Sequence, residues 1–263
     1  MLTDSHCHLD APEFDGDRAD VMRRARDAGV STQIVPAIHA AEWPRLREVC
    51  AQCPGTHAAY GLHPMYLSEH RPEHLQTLRE WVDRERPVAI GECGLDYFVE
   101  DLDRDAQQTY FDAQLRLARE VGLPVIVHAR RAVDAVIASI RRINADGVDH
   151  ELLRGVIHSY PGSREQARQL RDLGFLLGIG GPVTYERAHR LRALVADMPI
   201  EQLLLETDAP DQPDADIRGQ RNEPERLRTV LDTVAELRGE PPDAIARRTS
   251  ANAAALFGLP HAA

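Results

Sequence analysis

The chain has 263 residues, of which 43% are hydrophobic and 28% are charged, a balance typical of a globular protein with a sizeable core. Its formal net charge of −11 argues against a broad basic surface for long nucleic acid. No apolar run of about 18 residues occurs, and the N-terminus lacks basic and apolar leader regions, so we expect neither a transmembrane helix nor a signal peptide. Four cysteines are too few for a disulfide scaffold, and we expect a reduced, cytoplasmic protein.

Short apolar runs alternate with segments of helical spacing along nearly the whole chain. The candidate strands cover residues 2–3, 32–36, 56–62, 88–92, 124–128, 155–158, 175–179 and 202–206. The candidate helices cover residues 17–28, 43–53, 72–86, 105–121, 132–145, 164–173, 187–196, 224–237 and 242–257. Strands that alternate with helices predict right-handed crossovers and a parallel sheet.

Eight such repeats in about 250 residues are typical of a (β/α)8 TIM barrel, which we predict as the α/β fold class. A doubly wound open sheet is the structural alternative. No linker, low-complexity tract or change in composition marks a second domain, so we predict a single domain over residues 1–263. The last residues, 259–263, are predicted to be a frayed end.

The first strand leads into two histidines, His6 and His8, that are separated by one residue. In a β-strand the side chains of residues i and i+2 point to the same face, so the two imidazoles would converge on one side. Two imidazoles on one face are well placed to bind one metal ion. The alternative is a surface strand that carries two solvated histidines.

Polar residues follow several of the other apolar runs. Glu92, His128, His158 and Asp208 each stand at or just after the end of a candidate strand. In a TIM barrel these strand ends share one face, where active sites form. Any one of these residues alone is compatible with a buried structural role. Together with the opening histidine pair, they predict a metal site at the C-terminal ends of the strands.

Longer motifs occur in order along the chain. They read DSHCHL (4–9), GLHP (61–64), GECGLDY (91–97), LPVIVHAR (123–130), HSYPGS (158–163), ETDAP (206–210), RGQRNEP (218–224) and NAAALFGL (252–259). With these motifs the chain resembles the TatD family of metal-dependent DNases, within the amidohydrolase superfamily. The resemblance covers nearly the whole chain.

The resemblance implies a centre of two divalent metal ions in which Glu92 and Asp208 act as catalytic residues. It suggests Mg or Mn as the working ions, whereas mixed imidazole and carboxylate ligands also suit Zn. Asp208 is the candidate to accept a proton from the attacking water. The matching positions are His6, His8 and Asp208 on one ion and His128 and His158 on the other, with Glu92 bridging the two.

Four further positions are candidate substrate contacts under the same resemblance. His63 matches a phosphate contact, with a turn residue before proline as the alternative. Arg130 follows a ligand by two positions, and its planar guanidinium can bind a phosphate through two hydrogen bonds, although Arg131 is chemically equivalent. Arg221 and Asn222 lie in the long loop after the last strand, where phosphate binding and a purely structural role as a cap or loop support are both open.

Two segments depart from the family's usual pattern. Pro161 stiffens the loop after His158. The loop after Asp208 contains Asp211, Asp214 and Asp216. Three carboxylates at the mouth of the site would disfavour a polyanionic substrate, which weakens the assignment to nucleic acid more than the assignment to a hydrolase.

The resemblance implies a metal-dependent hydrolase of phosphodiester bonds, acting as a 3′–5′ exonuclease on DNA. The expected partners are short single-stranded DNA, DNA ends or a small phosphoester, and we expect a monomer that does not bind membranes. One alternative is an amidohydrolase-type enzyme that cleaves small esters, lactones or amides at the same metals, and another is an inactive metal-binding interaction protein. The carboxylated lysine of some amidohydrolases has no candidate here, because the fourth strand offers Glu92, which favours the nuclease.

Overall fold

A computed structural model describes residues 1–146 and 152–259, so residues 260–263 of the predicted frayed end lie outside the described residues. The eight strands of the described residues belong to one sheet in sequence order, and the pairs β1–β2, β3–β4, β4–β5, β5–β6 and β7–β8 are parallel. This order confirms the predicted (β/α)8 TIM-barrel class. The strands are Leu2–Asp4 (β1), Val30–Pro36 (β2), Thr56–Tyr60 (β3), Ala89–Asp96 (β4), Val125–Arg130 (β5), Gly155–Ile157 (β6), Phe175–Ile179 (β7) and Leu203–Leu205 (β8).

Helices connect the strands and begin and end at recognisable signals. Asp103 accepts hydrogen bonds from the first turn of the fourth helix, and Ser163 and Gln166 form a reciprocal capping box on the sixth. Gly122 ends the fourth helix in a left-handed conformation. The helices are Arg18–Asp27 (α1), Trp43–Gln52 (α2), Glu73–Glu85 (α3), Arg104–Val121 (α4), Val133–Ala145 (α5), Arg164–Asp172 (α6), His189–Asp197 (α7), Leu227–Arg238 (α8) and Pro242–Phe257 (α9).

The chain forms two compact units, each assembled from separate segments. Unit 1 carries β1 and β8, and its buried residues include Phe14 and Ile34. Unit 2 carries β4, β5 and β6, and its core includes Trp43, whose ring lies 6.2 Å from that of Tyr60. Unit 1 comprises Met1–Val35, Arg47–His57 and Leu177–Ala263, and unit 2 comprises Pro36–Leu46 and Ala58–Leu176. That the chain acts as a single domain stays a prediction.

The fourth strand is longer than the sequence indicates. It was expected to end at Glu92 but continues to Asp96, because residues Cys93 to Asp96 pair with Val127 to Arg130 on β5. Gly94 allows this close pairing, since it has a φ of +141° and a Cβ there would lie 2.0 Å from the carbonyl oxygen of His128. Glu92 therefore lies within the strand and not at its end. Among the described residues, no helix is both long and apolar enough to cross a membrane.

Candidate metal centre

Three ligand-type side chains of unit 1 converge, and we call His6, His8 and Asp208 the β1–β8 cluster. The Nε2 atoms of His6 and His8 lie 3.2 Å apart. The Oδ1 atom of Asp208 lies 3.4 Å from His6 Nε2 and 3.6 Å from His8 Nε2. His6 and Asp208 are buried, and His8 is partly exposed. The three donor atoms therefore form a nearly equilateral triangle.

Hydrogen bonds between the segments that follow β1 and β8 hold this triangle together. The amide of Asp208 donates to the carbonyl of His6 at 2.9 Å, and the amide of His8 donates to the carbonyl of Ala209 at 2.8 Å. The Asp4 carboxyl group accepts hydrogen bonds from Thr207, at 3.0 Å from the amide and 2.6 Å from the hydroxyl. Burial raises the pKa of Asp4 to about 8, against the hydrogen bonds from Thr207, so this carboxyl is largely neutral at pH 7.

Asp208 is held in a constrained orientation. Its φ of +58° lies in the left-handed region, which aspartate tolerates better than most residues but which still costs about 1 kcal/mol or more. The side-chain amide of Gln212 donates to Asp208 Oδ2, while Oδ1 faces the two histidines. The loop after β8 therefore assigns the two carboxylate oxygens to different partners.

In unit 2 three imidazoles surround one buried carboxylate, and we call Glu92 with His63, His128 and His158 the Glu92 cluster. Glu92 is 2% exposed. Its Oε1 atom lies 3.1 Å from His63 Nε2, 3.2 Å from His128 Nδ1 and 3.0 Å from His158 Nε2. His158 Nε2 also lies 3.4 Å from His128 Nδ1. Burial lowers the pKa of His63 to about 4, although Glu92 opposes this shift, so His63 is neutral at pH 7.

Asp96 fixes the orientation of His128. Its Oδ2 atom lies 2.9 Å from His128 Nε2, which makes this ring nitrogen a hydrogen-bond donor and turns Nδ1 towards Glu92. Burial lowers the pKa of His128, but hydrogen bonds to Asp96 and Glu92 outweigh burial and raise it. The two carboxylates therefore favour a positive charge next to His128 Nδ1, which is the charge that a cation would supply.

Both clusters fit a divalent cation by donor type and spacing. Ligands about 2.1 Å from a tetrahedral ion lie roughly 3.4 Å from one another, and those of an octahedral ion roughly 3.0 Å apart. The edges of the β1–β8 cluster, from 3.2 to 3.6 Å, and the 3.0 to 3.4 Å distances of the Glu92 cluster cover this range. The groups His6–His8–Asp208 and His63–Glu92–His128 each bring three ligand atoms within 4.8 Å of one another. The assignment of individual residues to two ions stays a prediction.

The four predicted substrate residues have different surroundings. His63 belongs to the Glu92 cluster, and Arg130 ends β5 with an exposed side chain. The guanidinium of Arg221 binds the Asp17 carboxylate through two hydrogen bonds of 2.9 and 2.7 Å and also pairs with Glu223. The buried amide of Asn222 donates to the carbonyls of Thr207 and Asp211. Both loop residues support the segment after β8, and their contact with substrate stays a prediction.

The acidic loop after Asp208 exposes less unpaired negative charge than its sequence indicates. Asp214 is 1% exposed and binds Arg226 through two hydrogen bonds of 2.6 and 2.8 Å. Asp216 also lies 3.3 Å from Arg226. One of the three carboxylates is therefore buried in an ion pair, which reduces the expected repulsion of a polyanionic substrate.

Three residues that shape the clusters were missed as such in the sequence. Asp96 stands four positions after Glu92, and in a continuous strand that even spacing places both on one face. Asp4 stands two positions before His6, but β1 ends at Asp4, so strand alternation does not relate the two residues. Gln212 carries no comparable signal, because its contact with Asp208 depends on the conformation of the loop after β8.

Comparisons with known proteins agree over almost the whole chain. The profile of the family described as "TatD related DNase" matches residues 3–258. The chain is 41% identical over 261 residues to the "Uncharacterized metal-dependent hydrolase YjjV" of Escherichia coli K12, covering 98% of each. It is 37% identical over 266 residues to the "3′-5′ ssDNA/RNA exonuclease TatD" of Erwinia billingiae, covering 98% of this chain and 100% of that protein. The crystal structure of YjjV, a TatD homolog from Escherichia coli K12, superposes with a TM-score of 0.92 at 39% identity over 98% of both chains.

Proposed function

Since this chain belongs to the TatD related DNase family and is a metal-dependent hydrolase of that type, we propose that it is a 3′–5′ exonuclease of single-stranded nucleic acid ends. The observation that carries the proposal is that ligand-type side chains converge in two clusters, one around Asp208 and one around Glu92. The donor atoms within each cluster suit a divalent cation. Relatives that share at least a third of their residues with this chain bear the name of such an exonuclease, which supports the choice of substrate.

Two divalent cations are proposed to occupy these clusters. Mn, Mg or Zn suits the donor set of imidazoles and carboxylates. When bound, such ions polarise the phosphoryl oxygens and lower the pKa of an attacking water. The proposed ligands are His6, His8 and Asp208 for one ion and His128 and His158 for the other, with Glu92 shared.

The chain's own residues are proposed to divide the remaining work. Asp208 Oδ1 accepts the proton of the attacking water, and Gln212 keeps the other oxygen from competing for it. His63 is neutral at pH 7, because its pKa is lowered to about 4, so it contacts a phosphoryl oxygen as a hydrogen-bond donor and not as a charge. Asp96 keeps His128 in the tautomer that leaves Nδ1 free of a proton when a cation is present.

Arg130 is proposed to bind a phosphate of the substrate. Its side chain is exposed at the end of β5, two residues after His128. Arg221 and Asn222 are retained as candidate phosphate contacts of the loop after β8. We further propose a monomeric, single-domain enzyme that works in the cytoplasm on short single strands or frayed DNA ends.

The test is product analysis with defined oligonucleotides. Protein stripped with chelator and reloaded with Mn should shorten a 5′-labelled single-stranded DNA from its 3′ end and release mononucleotides. Glu92→Gln and Asp208→Asn should abolish this release while remaining folded by circular dichroism. Turnover of small esters or lactones without nucleotide release would instead support an amidohydrolase-type activity, and no turnover of either would support an inactive metal-binding protein.

A further inference from the structure

An arginine–aromatic stack stands beside the Glu92 cluster at the ends of β4 and β5. Phe98 is 43% exposed and is one of four exposed large hydrophobic residues in the described part of the chain. The guanidinium carbon of Arg130 lies 3.7 Å from the centre of the Phe98 ring, and that of Arg131 lies 4.6 Å from it. We call these three residues the Phe98 stack.

The Phe98 stack is anchored to the metal-binding part of unit 2. Asp96, which holds His128 through Oδ2, accepts hydrogen bonds through Oδ1 from the amides of Phe98 and Val99 at 2.9 and 3.2 Å. In the β4–β5 register Asp96 also lies opposite Arg130. One buried carboxylate thus sets the position of both the histidine and the aromatic ring, so the stack has a fixed relation to the Glu92 cluster.

Within residues 1–146 and 152–259, the two arginines of the stack lack ion-pair partners. Among the described residues no carboxylate lies within 4.0 Å of either guanidinium, whereas the guanidinium of Arg221 is paired with Asp17 and Glu223. A guanidinium stacked on a ring keeps its N–H edges available for phosphate oxygens. Arg130 and Arg131 are therefore the arginines near the cluster with unused capacity for an anion.

A cavity of about 470 Å³ adjoins the stack. Its volume lies within the roughly 300–1,000 Å³ of small-molecule sites. Residues from the loops after β4, β5 and β6 and from the first turns of α5 and α6 line it, among them Tyr97, Arg131, Val133, Asp134, Pro161 and Gln166. In this wall the side-chain amide of Gln166 donates a hydrogen bond of 2.7 Å to the Asp134 carboxylate, and Arg131 provides a cation.

We propose that the Phe98 stack and this cavity form the subsite for the nucleotide that adjoins the scissile phosphodiester. The guanidinium groups of Arg130 and Arg131 bind the backbone phosphate of this nucleotide. Its unpaired base packs against the Phe98 stack and enters the cavity. A single strand is the occupant because stacking requires the free face of an unpaired base, and such stacking is tolerant of sequence. The inference rests on the proposed nuclease function and deepens it by assigning the substrate beyond the reacting phosphate.

Binding without turnover is the first test. A labelled eight-nucleotide single-stranded DNA, titrated in the presence of chelator and followed by fluorescence anisotropy, should bind Phe98→Ala on the order of tenfold more weakly than the unaltered protein. Arg131→Ala should reduce the slope of log Kd against log salt concentration by about 0.7, the contribution of one phosphate contact on a single strand, whereas Phe98→Ala should leave the slope unchanged. The matched control is Arg84→Ala, which removes an exposed arginine stacked 4.1 Å above Trp81 on α3 and should change neither quantity.

Oligonucleotides that carry one abasic residue at successive positions test directly which base contacts the protein. At one position near the 3′ end, an abasic residue should weaken binding to the unaltered protein about tenfold and binding to Phe98→Ala less than twofold. Equal affinity of Phe98→Ala, Arg131→Ala and the unaltered protein, or the absence of any such position, would overturn the subsite.

Turnover separates this inference from the proposed function. Bis(p-nitrophenyl) phosphate offers a scissile phosphodiester that carries no nucleotide on either side. Phe98→Ala should hydrolyse it within twofold of the unaltered enzyme but should lose about tenfold in kcat/KM on the oligonucleotide. An unaltered enzyme that cleaves neither substrate contradicts the nuclease, whereas equal losses on both substrates, or none on the oligonucleotide, contradict the subsite alone.

Discussion

The β1–β8 cluster and the Glu92 cluster use the same ligand types but are built in different ways. In the first, backbone hydrogen bonds between the segments after β1 and β8 place His6 next to Asp208, and Asp208 adopts a left-handed conformation. In the second, Glu92 and His128 project from β4 and β5, and the buried Glu92 carboxylate is surrounded by three imidazoles. The Asp96 carboxylate secures the orientation of one of them, His128. The first cluster thus depends on loop conformation and the second on buried charge.

This difference predicts different sensitivities. Removing the charge of Glu92 leaves three imidazoles without the carboxylate that they surround, which is costly because Glu92 is 2% exposed. Removing a loop contact from the β1–β8 cluster changes the orientation of a ligand but leaves its charge in place. The following changes test this contrast, from the largest expected effect to the smallest.

Glu92→Gln should reduce kcat on single-stranded DNA on the order of 10³-fold, because it removes the charge that both proposed ions share. Steady-state kinetics with saturating Mn measures this loss. Glu100→Gln, an exposed change in the loop after the same strand, is the control and should keep full activity. A Glu92→Gln enzyme that retains a tenth of the activity or more would remove Glu92 from the reacting site.

Asp96→Asn should weaken metal binding by about 10- to 100-fold, because a neutral amide oxygen stabilises the proton on His128 Nε2 less than the carboxylate does. Isothermal titration of stripped protein with Mn measures the affinity. Asp103→Asn, which changes the exposed cap of α4, is the matched control. Unchanged affinity in Asp96→Asn would show that the hydrogen bond to His128 does not tune the ligand.

In metal-free protein, Asp4, which holds the segment after β8 beside the β1–β8 cluster, and His63 of the Glu92 cluster should give the free energy of unfolding opposite dependences on pH. The pKa of Asp4 is raised to about 8, so the folded state holds a proton that the unfolded state lacks, and the free energy of unfolding falls as pH rises from about 4 towards 8. The pKa of His63 is lowered to about 4, so the unfolded state binds the extra proton, and the free energy of unfolding falls as pH drops from 6.5 towards 4, by up to about 3 kcal/mol.

Urea unfolding in chelator across pH 4 to 8 measures both slopes. Because the two contributions oppose each other between about pH 4 and 6.5, Asp4→Asn should leave a free energy of unfolding that rises with pH in this range and is flat above it. His63→Gln should instead leave one that falls with pH over the whole range from about 4 to 8. Parallel curves for the variants and the unaltered protein would contradict the two pKa shifts.

Gln212→Ala should have the smallest effect, a loss of about two- to fivefold in kcat with unchanged metal content, because Asp208 keeps its charge and only its Oδ2 partner is lost. Gln212→Glu is the informative companion, since a second carboxylate beside Asp208 should raise its pKa and lower activity further. A Gln212→Ala variant that loses as much kcat as Glu92→Gln would contradict the expected difference in sensitivity between the two clusters.

The sequence predicted that the His6 and His8 side chains converge, and their Nε2 atoms lie 3.2 Å apart. The predicted reason, alternation along a strand, does not apply, because β1 ends at Asp4 and both histidines follow it. The eight strands and the fold class were predictable because apolar runs and helical spacing alternate so regularly. The extension of β4 to Asp96 was not, because the pairing that creates it needs the close approach at Gly94, which is a property of two strands together.

The electrostatic environment was predictable only in part. The acidic loop after Asp208 looked repulsive in sequence, but the burial of Asp214 against Arg226 depends on tertiary packing. Likewise, Arg130, Arg131 and Arg221 are similar in sequence context. Their ion-pair partners, present for Arg221 and absent for the other two among the described residues, distinguish a structural arginine from a candidate anion site.

The central claim is that both clusters bind a cation, and the number of ions per chain tests it most directly. Stripped protein reloaded with Mn, freed of excess metal and measured by inductively coupled plasma mass spectrometry should contain two ions per chain. A variant with both His6→Ala and His8→Ala should contain one, and so should His128→Ala. One ion or none in the unaltered protein, or two ions in both variants, would contradict the account.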